Sequence, residues 1–243
     1  MTKVSVDRQY VHNPSTRELT SENENTQQQR YYRPELDWIR FLAFCMVFLL
    51  HGFAQDPTQY TVLGVPESLA KNVIVPLVTA GGYGVDLFFA LSAFLITKLL
   101  LMERNRTSAI HVGSFYVRRI LRIWPLYFAF VGVVSIFELA RNVNPPGYFV
   151  AHWFFVGNWY TVTLGLRNSL IEHMWSVSVE EQFYILWPLL MARLNTKHFA
   201  SALVLIYAGS NMLRASLIYL SYPDSVLLWC NTFTHLDAFF VGG

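Results

Sequence analysis

The sequence predicts an all-α fold, a polytopic bundle of membrane-spanning helices. Of its 243 residues, 53% are hydrophobic and only 14% are charged, whereas soluble domains carry roughly 25% charged residues. Several apolar runs approach the roughly 20 residues that a helix needs to cross a bilayer. Cys45 and Cys230 lie in such runs, without a disulfide or metal-binding spacing. We therefore expect a lipid bilayer around the chain, no metal and no nucleic-acid partner.

The two ends of the chain differ in composition. Residues 1–34 are polar, with SENENTQQQR at their centre, and they lack the apolar core and cleavage site of a signal peptide. Such a segment cannot bury enough apolar surface to fold alone. We expect a disordered cytoplasmic tail over 1–34 and a transmembrane domain over 35–243. The last apolar run still continues at Gly243, which predicts either a fragment of a longer protein or an unusual truncation.

Apolar segments along the chain are candidate membrane helices. The stronger candidates are Leu36–Phe53, Gly82–Leu101, Phe115–Leu139, Ser176–Ala192, Phe199–Leu220 and a run that starts near Val226. The segment from Tyr148 to Leu166 is weaker, because His152, Gly157 and Asn158 interrupt it.

Basic residues predict the orientation of these spans, since Lys and Arg accumulate in cytoplasmic loops. They precede the first span, fill the link between the second and third spans, and follow the Ser176–Ala192 helix, whereas the link between the first and second spans has only Lys71. The N-terminus, that link and the end after Ala192 are therefore predicted to be cytoplasmic. An even number of crossings must then lie between Leu139 and Ser176. We interpret Tyr148–Leu166 as a re-entrant or interfacial segment, which is tolerated where it lines a cavity.

The first span carries three ionisable residues on one side. His51 follows Arg40 by eleven residues, about three helical turns, so both lie on one face. Asp37 precedes Arg40 by three residues and lies on the same stripe. One interpretation is an interfacial Asp37–Arg40 pair with a histidine at the opposite interface. The other is a polar seam facing a cavity, with His51 as a proton acceptor.

The start of the second span combines glycines with an acid. Gly81 and Gly84 allow a turn and close packing, and Asp86 lies where a helix N-terminus favours an anion. Ser92 and Ala93 are small, which suits close helix packing. Two interpretations remain open for these residues. They either pack the helix and balance its dipole, or they take part directly in function.

Three arginines lie at the cytoplasmic start of the third span. Arg118, Arg119 and Arg122 are three or four residues apart and form one cluster. They are either a cytoplasmic anchor or an anion site for phosphates, which arginine forks suit. Pro125 either kinks this helix or starts it.

Two adjacent carboxylates occur in HMWSVSVEEQFYILWP, which begins at His173. Ser178 and Glu181 have the spacing of a capping box, which predicts Ser178 as N-cap; Ser176 is the alternative cap. Glu180 lies about 100° further around the helix and cannot share that task. It is predicted to face Arg40, His51 or a substrate hydroxyl.

Four motifs in this order resemble the acyltransferase 3 family of integral membrane O-acyltransferases. They are LDxxR from Leu36 with His51, GVDLFFxLS from Gly84, RxxRIxP from Arg119 and WSxSxEEQFY from Trp175. The resemblance covers roughly Pro34 to the end of the chain. It implies transfer of an acyl group, often acetyl, from cytoplasmic acyl-coenzyme A to a hydroxyl of a saccharide, lipid, cell-envelope component or metabolite. It also implies the bacterial plasma membrane and no bound cofactor.

The resemblance implies roles for particular residues. His51 would be the base, Glu180 its acidic partner, and Arg40 would orient the substrates and stabilise charge. Arg119 and Arg122 would hold the phosphates of coenzyme A.

The remaining motif residues Asp37, Asp86 and Ser92 would line the substrate and donor site. Two positions depart from the family pattern. Ala93 replaces the usual glycine, and His235 stands where arginine is frequent, so an ionic role there does not carry over. The rival interpretations are a transporter or channel that uses the polar seam, and an inactive fragment.

Overall fold

The computed structural model describes residues 33–193, 196–220 and 226–243, and the regular structure in these ranges is helical. The predicted all-α class is confirmed. The predicted tail lies almost entirely outside the described residues. Ile39–Gly243 forms one unit by itself.

The first half of the described chain contains two long helices preceded by shorter ones. The elements are α1 (Pro34–Gly52), α2 (Pro57–Thr61), α3 (Glu67–Leu69), a π-helical turn (Ala70–Ile74), α4 (Val75–Ala80), α5 (Tyr83–Thr107) and α6 (Val112–Ala140). Helix α5 ends at Ser108, which adopts the left-handed conformation that commonly terminates helices. Pro125 lies inside α6, so the alternative in which it starts the helix is wrong.

The second half alternates short and long helices. The elements are α7 (Pro146–Trp153), α8 (Gly157–Leu164), a 3₁₀ turn (Glu172–Met174), α9 (Trp175–Arg193), α10 (Thr196–Tyr219), α11 (Val226–Trp229), a 3₁₀ turn (Thr232–Thr234) and α12 (Leu236–Gly242).

Among the residues that the structure describes, three stretches are long and apolar enough to cross a membrane: Glu67–Thr107, Val112–Ala140 and Ala200–Tyr219. They correspond to the predicted spans Gly82–Leu101, Phe115–Leu139 and Phe199–Leu220. The segments Leu36–Phe53 and Ser176–Ala192 do form helices, α1 and α9, and their crossing of the membrane stays a prediction. The continuous run predicted from Val226 is wrong. Asn231 is extended and its side chain accepts from the Phe233 N–H, which separates α11 from the next turn.

The weak segment Tyr148–Leu166 is a broken helix. Phe155, between α7 and α8, has φ of 54°, and each eight-residue helix is only about 12 Å long, too short to span a bilayer. Side chains satisfy the backbone at the break: Tyr127 donates to the His152 carbonyl at 2.8 Å, and Gln182 donates to the Phe155 carbonyl at 2.8 Å. Buried irregular backbone is stable only with such partners.

Aromatic side chains join α5, α9 and α12. The Phe183 and Phe239 rings stack with centroids 4.0 Å apart, and Phe89 stacks on Phe239 at 4.8 Å. Gly242 lies against the backbone of Ala90, so close that a Cβ would overlap the carbonyl oxygen. This packing holds α9 and α5 together, and with them the polar residues that the two helices carry.

Glycines bring α1 onto the start of α5, as the sequence predicts. A Cβ on Gly84 would lie 2.7 Å from the Ala43 carbonyl oxygen, and one on Gly81 would lie 2.3 Å from the Met46 carbonyl oxygen. Only glycine permits this backbone approach. Close packing by small residues is therefore confirmed at this interface.

Candidate active site

Helix α9 carries a polar stripe toward α5. Glu180 and Tyr184 are four residues apart and lie on one face. Ser92 of α5 meets them: the hydroxyls of Ser92 and Tyr184 both donate to Oε1 of Glu180, and the two hydroxyl oxygens are 3.1 Å apart. Two donors on one carboxylate oxygen offset the cost of removing the charge from water. They also hold the carboxylate in one orientation.

Arg119 adjoins this carboxylate site through Tyr184. Its guanidinium carbon lies 4.8 Å from the centre of the Tyr184 ring and 5.6 Å from that of Phe115. Such contacts are attractive cation–π interactions, and they fix the arginine beside the buried end of α9. Arg118 and Arg122 are exposed on α6. The three arginines therefore differ in surroundings, although the sequence groups them as one cluster.

His51, in the last turn of α1, lies beside His173. The two imidazole centroids are 5.8 Å apart and the rings are inclined at 51°. Partial burial lowers the pKa of His173, and the charge of His51 lowers it further. Both causes favour the uncharged form of the His173 ring.

The structure does not bring all the predicted site residues into one contact. Within the described ranges the hydrogen-bond partners of Glu180 are Ser92 and Tyr184, and His51 has an imidazole neighbour. Arg40 is partly buried on α1, three turns before His51. Asp37 lies in the first turn of that helix. The direct Glu180–His51 or Glu180–Arg40 contact that the sequence suggested is not observed among these residues.

His173 is the neighbour that sequence reasoning missed. A signal was available, because His173 precedes Glu180 by seven residues, close to two helical turns. Residues at that spacing share a face where one helix is continuous. His173 itself lies in the 3₁₀ turn that leads into α9, two residues before the helix begins.

The capping box predicted for Glu181 is wrong. Helix α9 already begins at Trp175, so Ser178 lies inside it and its hydroxyl faces the Met174 carbonyl at 3.4 Å. The alternative cap fails as well, since the Ser176 hydroxyl donates to the His173 carbonyl at 3.1 Å. Glu181 is instead buried. Its Oε2 accepts from the Trp124 indole N–H at 3.0 Å.

Asp86 has a partner on the last helix. It lies in the first turn of α5 and contacts Nδ1 of His235 at 2.7 Å, while Nε2 of His235 lies 2.7 Å from the Trp229 carbonyl oxygen. Histidine at position 235, where arginine is frequent in the family, therefore still makes a polar contact with Asp86. This pair gives Asp86 a structural function, and its participation in donor binding stays a prediction.

The segment before His173 is tied to the end of α6. The buried Glu138 carboxylate accepts from Asn144 Nδ2 at 2.9 Å, Ser169 Oγ at 2.9 Å and the Leu170 N–H at 3.1 Å. Three donors occupy most of the positions at which a carboxylate can accept hydrogen bonds. This network therefore fixes the backbone that leads into the 3₁₀ turn and holds His173 in place.

Comparison with known proteins identifies similar sequences. A family model described as an acyltransferase domain of the acyltransferase 3 type matches residues 33–243. The chain is 29% identical to the peptidoglycan O-acetyltransferase OatA of Listeria monocytogenes over 86% of its own length and 33% of that protein. It is 28% identical to a putative O-acetyltransferase of Staphylococcus aureus, over 87% of this chain and 34% of the relative.

The same bacterium's O-acetyltransferase OatA is 27% identical, over 87% of this chain and 34% of the relative. The chain thus spans about a third of the length of these curated relatives. No solved structure matches it.

Proposed function

This chain belongs to the acyltransferase 3 family, and on that premise we propose that it moves an acetyl group from cytoplasmic acyl-coenzyme A to a hydroxyl of a cell-envelope saccharide. Curated relatives are named O-acetyltransferases, one of them for peptidoglycan. The protein is an integral membrane protein; we assign it to the bacterial plasma membrane with a cytoplasmic N-terminus. The basic α5–α6 link supports this orientation.

The observation that carries the proposal is the carboxylate site formed by Glu180, Ser92 and Tyr184, with an arginine beside it. Thioester-to-hydroxyl transfer also needs an imidazole to accept a proton, a role that we assign to His51, and a cation for anionic groups. The Ser92 and Tyr184 hydroxyls hold the Glu180 carboxylate. Arg119 lies on the Tyr184 ring.

The chemical step follows from these groups. His51 takes the proton of the acceptor hydroxyl as that oxygen bonds to the thioester carbonyl carbon. The carbonyl oxygen becomes negative in the tetrahedral intermediate, and Arg40 stabilises this charge. The C–S bond then breaks, and the coenzyme A thiolate takes the proton from His51. The products are the acetyl ester and free coenzyme A, and the histidine is regenerated.

Arg119 and Arg122 bind the donor in this proposal. Guanidinium groups form paired hydrogen bonds with phosphate oxygens, and both residues lie in the first turns of α6, at the predicted cytoplasmic end of that span. The exposed Arg122 meets the cytoplasmic coenzyme A phosphates. Arg119, beside Tyr184, lies between them and the carboxylate site.

The test is acetyl transfer by the purified full-length protein in liposomes. Acetyl-coenzyme A carrying a labelled acetyl group is supplied on the cytoplasmic side, with an oligosaccharide fragment of the cell envelope as acceptor. We expect labelled ester and free coenzyme A in equal amounts. An intact thioester together with movement of a solute across the liposome would instead identify a transporter and overturn the proposal.

A further inference from the structure

The catalytic scheme above gives a role to His51 but none to its neighbour His173. His51 and His173 come from different helices, and both are exposed. Their ring centroids are 5.8 Å apart and the ring planes are inclined at 51°. Here, no hydrogen bond of either ring to the described residues is observed, so both remain able to bind a ligand between them.

The separation of the rings suits one shared oxygen atom. An oxygen about 2.8 Å from a nitrogen of each ring lies about 4 Å from each ring centre. The observed separation of 5.8 Å between the ring centres corresponds to an angle of about 90° at the oxygen between the two hydrogen bonds. This angle is near the tetrahedral arrangement of a hydroxyl's proton and lone pairs. The separation of the ring centres is therefore compatible with one hydroxyl between them.

We propose that His173 is the second imidazole of the acceptor site, and that its N–H donates to the same hydroxyl oxygen whose proton His51 accepts. This inference rests on the proposed function. The roles are complementary: the neutral His51 nitrogen accepts, the His173 N–H donates, and the remaining lone pair of the oxygen attacks the thioester carbon. Each bond uses a separate position on the oxygen, so all three coexist.

The surroundings of His173 fit a fixed ligand-binding group. The Glu138 network holds the chain on its N-terminal side, and α9 begins two residues after it. The backbone carbonyl of His173 already accepts a hydrogen bond from the Ser176 hydroxyl. The imidazole is the group of His173 that we assign to substrate binding. A donor held in this way positions the attacking hydroxyl before the reaction.

The experiment varies the acceptor concentration with His173→Phe and His173→Gln in the full-length protein. Phenylalanine keeps a ring without a hydrogen-bond donor, whereas glutamine restores an N–H donor. We expect His173→Phe to lower kcat/KM for the acceptor roughly tenfold, the usual effect of one lost hydrogen bond, with an unchanged KM for acetyl-coenzyme A. His173→Gln should recover part of this loss. In a His51→Ala background, His173→Phe should have a much smaller effect, because the two rings act on one oxygen.

The matched control is His111→Phe. His111 is an exposed histidine on the α5–α6 link, paired with Glu103 at 3.0 Å, and its replacement should leave both kinetic constants unchanged. Failure of the wild-type protein to form ester would refute the proposed function itself. Wild-type transfer with an unaltered acceptor kcat/KM in His173→Phe would overturn the inference alone. An equal loss in both His173 variants, accompanied by a lower melting temperature, would assign His173 a structural role and overturn it as well.

Discussion

The Trp124 indole N–H donates to Oε2 of Glu181 at 3.0 Å, and this contact joins α6 to α9. Glu181 therefore stabilises a helix–helix interface. Its other oxygen, Oε1, has no hydrogen-bond partner among the described residues. The adjacent Glu180 faces α5, so one turn of helix directs two carboxylates to two different neighbours.

Trp124→Phe should destabilise the protein more than Glu181→Gln. The first change leaves a buried carboxylate without its donor, which costs about 1–3 kcal/mol, whereas glutamine still offers an oxygen to the indole. Thermal unfolding in detergent measures both. If Glu181→Gln proves the more harmful, Glu181 has a partner other than Trp124.

Tyr184→Phe should reduce acetyl transfer roughly tenfold without loss of folded protein. The change removes one of two hydroxyl donors that hold Glu180, and a hydrogen bond to a charged group contributes about 1.5–3 kcal/mol. Tyr116→Phe is the control, because its hydroxyl also bonds to α9 but donates to the Ile185 carbonyl, at 2.6 Å. Similar losses for both variants would show that helix packing, and not the carboxylate, accounts for the effect.

His51→Ala should lower the rate of transfer by roughly 10² to 10⁴, the contribution of a positioned base, while acetyl-coenzyme A still binds. Separate assays of donor binding and of ester formation test this. Transfer at the wild-type rate would refute the assignment. Loss of donor binding would instead make His51 part of the donor pocket.

The pKa of His173 should rise in His51→Ala and still lie below its ordinary value. Partial burial is the larger cause of the lowered pKa, and the charge of His51 is the smaller one. Removal of His51 therefore cancels only the second cause, so His173 becomes protonated at a higher pH than in the wild type. Titration of labelled histidine by NMR gives the value. An unchanged pKa would mean that the two rings are not neighbours in the membrane.

Arg119→Lys should raise the KM for acetyl-coenzyme A more than Arg118→Lys does. Lysine lacks both the planar fork for phosphate and the flat face that stacks on an aromatic ring, and Arg119 uses that face against Tyr184. Arg118 is exposed and serves as the control. Equal effects at the two positions would favour a general cytoplasmic anchor over a specific donor site.

The sequence by itself determined the helical class, the three spans that length and apolar composition support, and the faces shared by Arg40 and His51 or by Glu180 and Tyr184. These properties depend on a local repeat, because the helical period decides which neighbours along one segment lie side by side. Composition also indicated the break near Phe155, since His152, Gly157 and Asn158 interrupt the apolar pattern.

Only the tertiary structure decided which faces meet. Ser92 and Glu180 are 88 residues apart in the sequence, and His51 and His173 lie on elements separated by most of the described chain. No local period relates such pairs, because their contact depends on how α1, α5 and α9 pack through glycines and aromatic rings. The capping prediction failed for the same reason. The spacing of Ser178 and Glu181 fits a helix start, but tertiary packing allows α9 to begin at Trp175, and burial against Trp124 gives Glu181 a different partner.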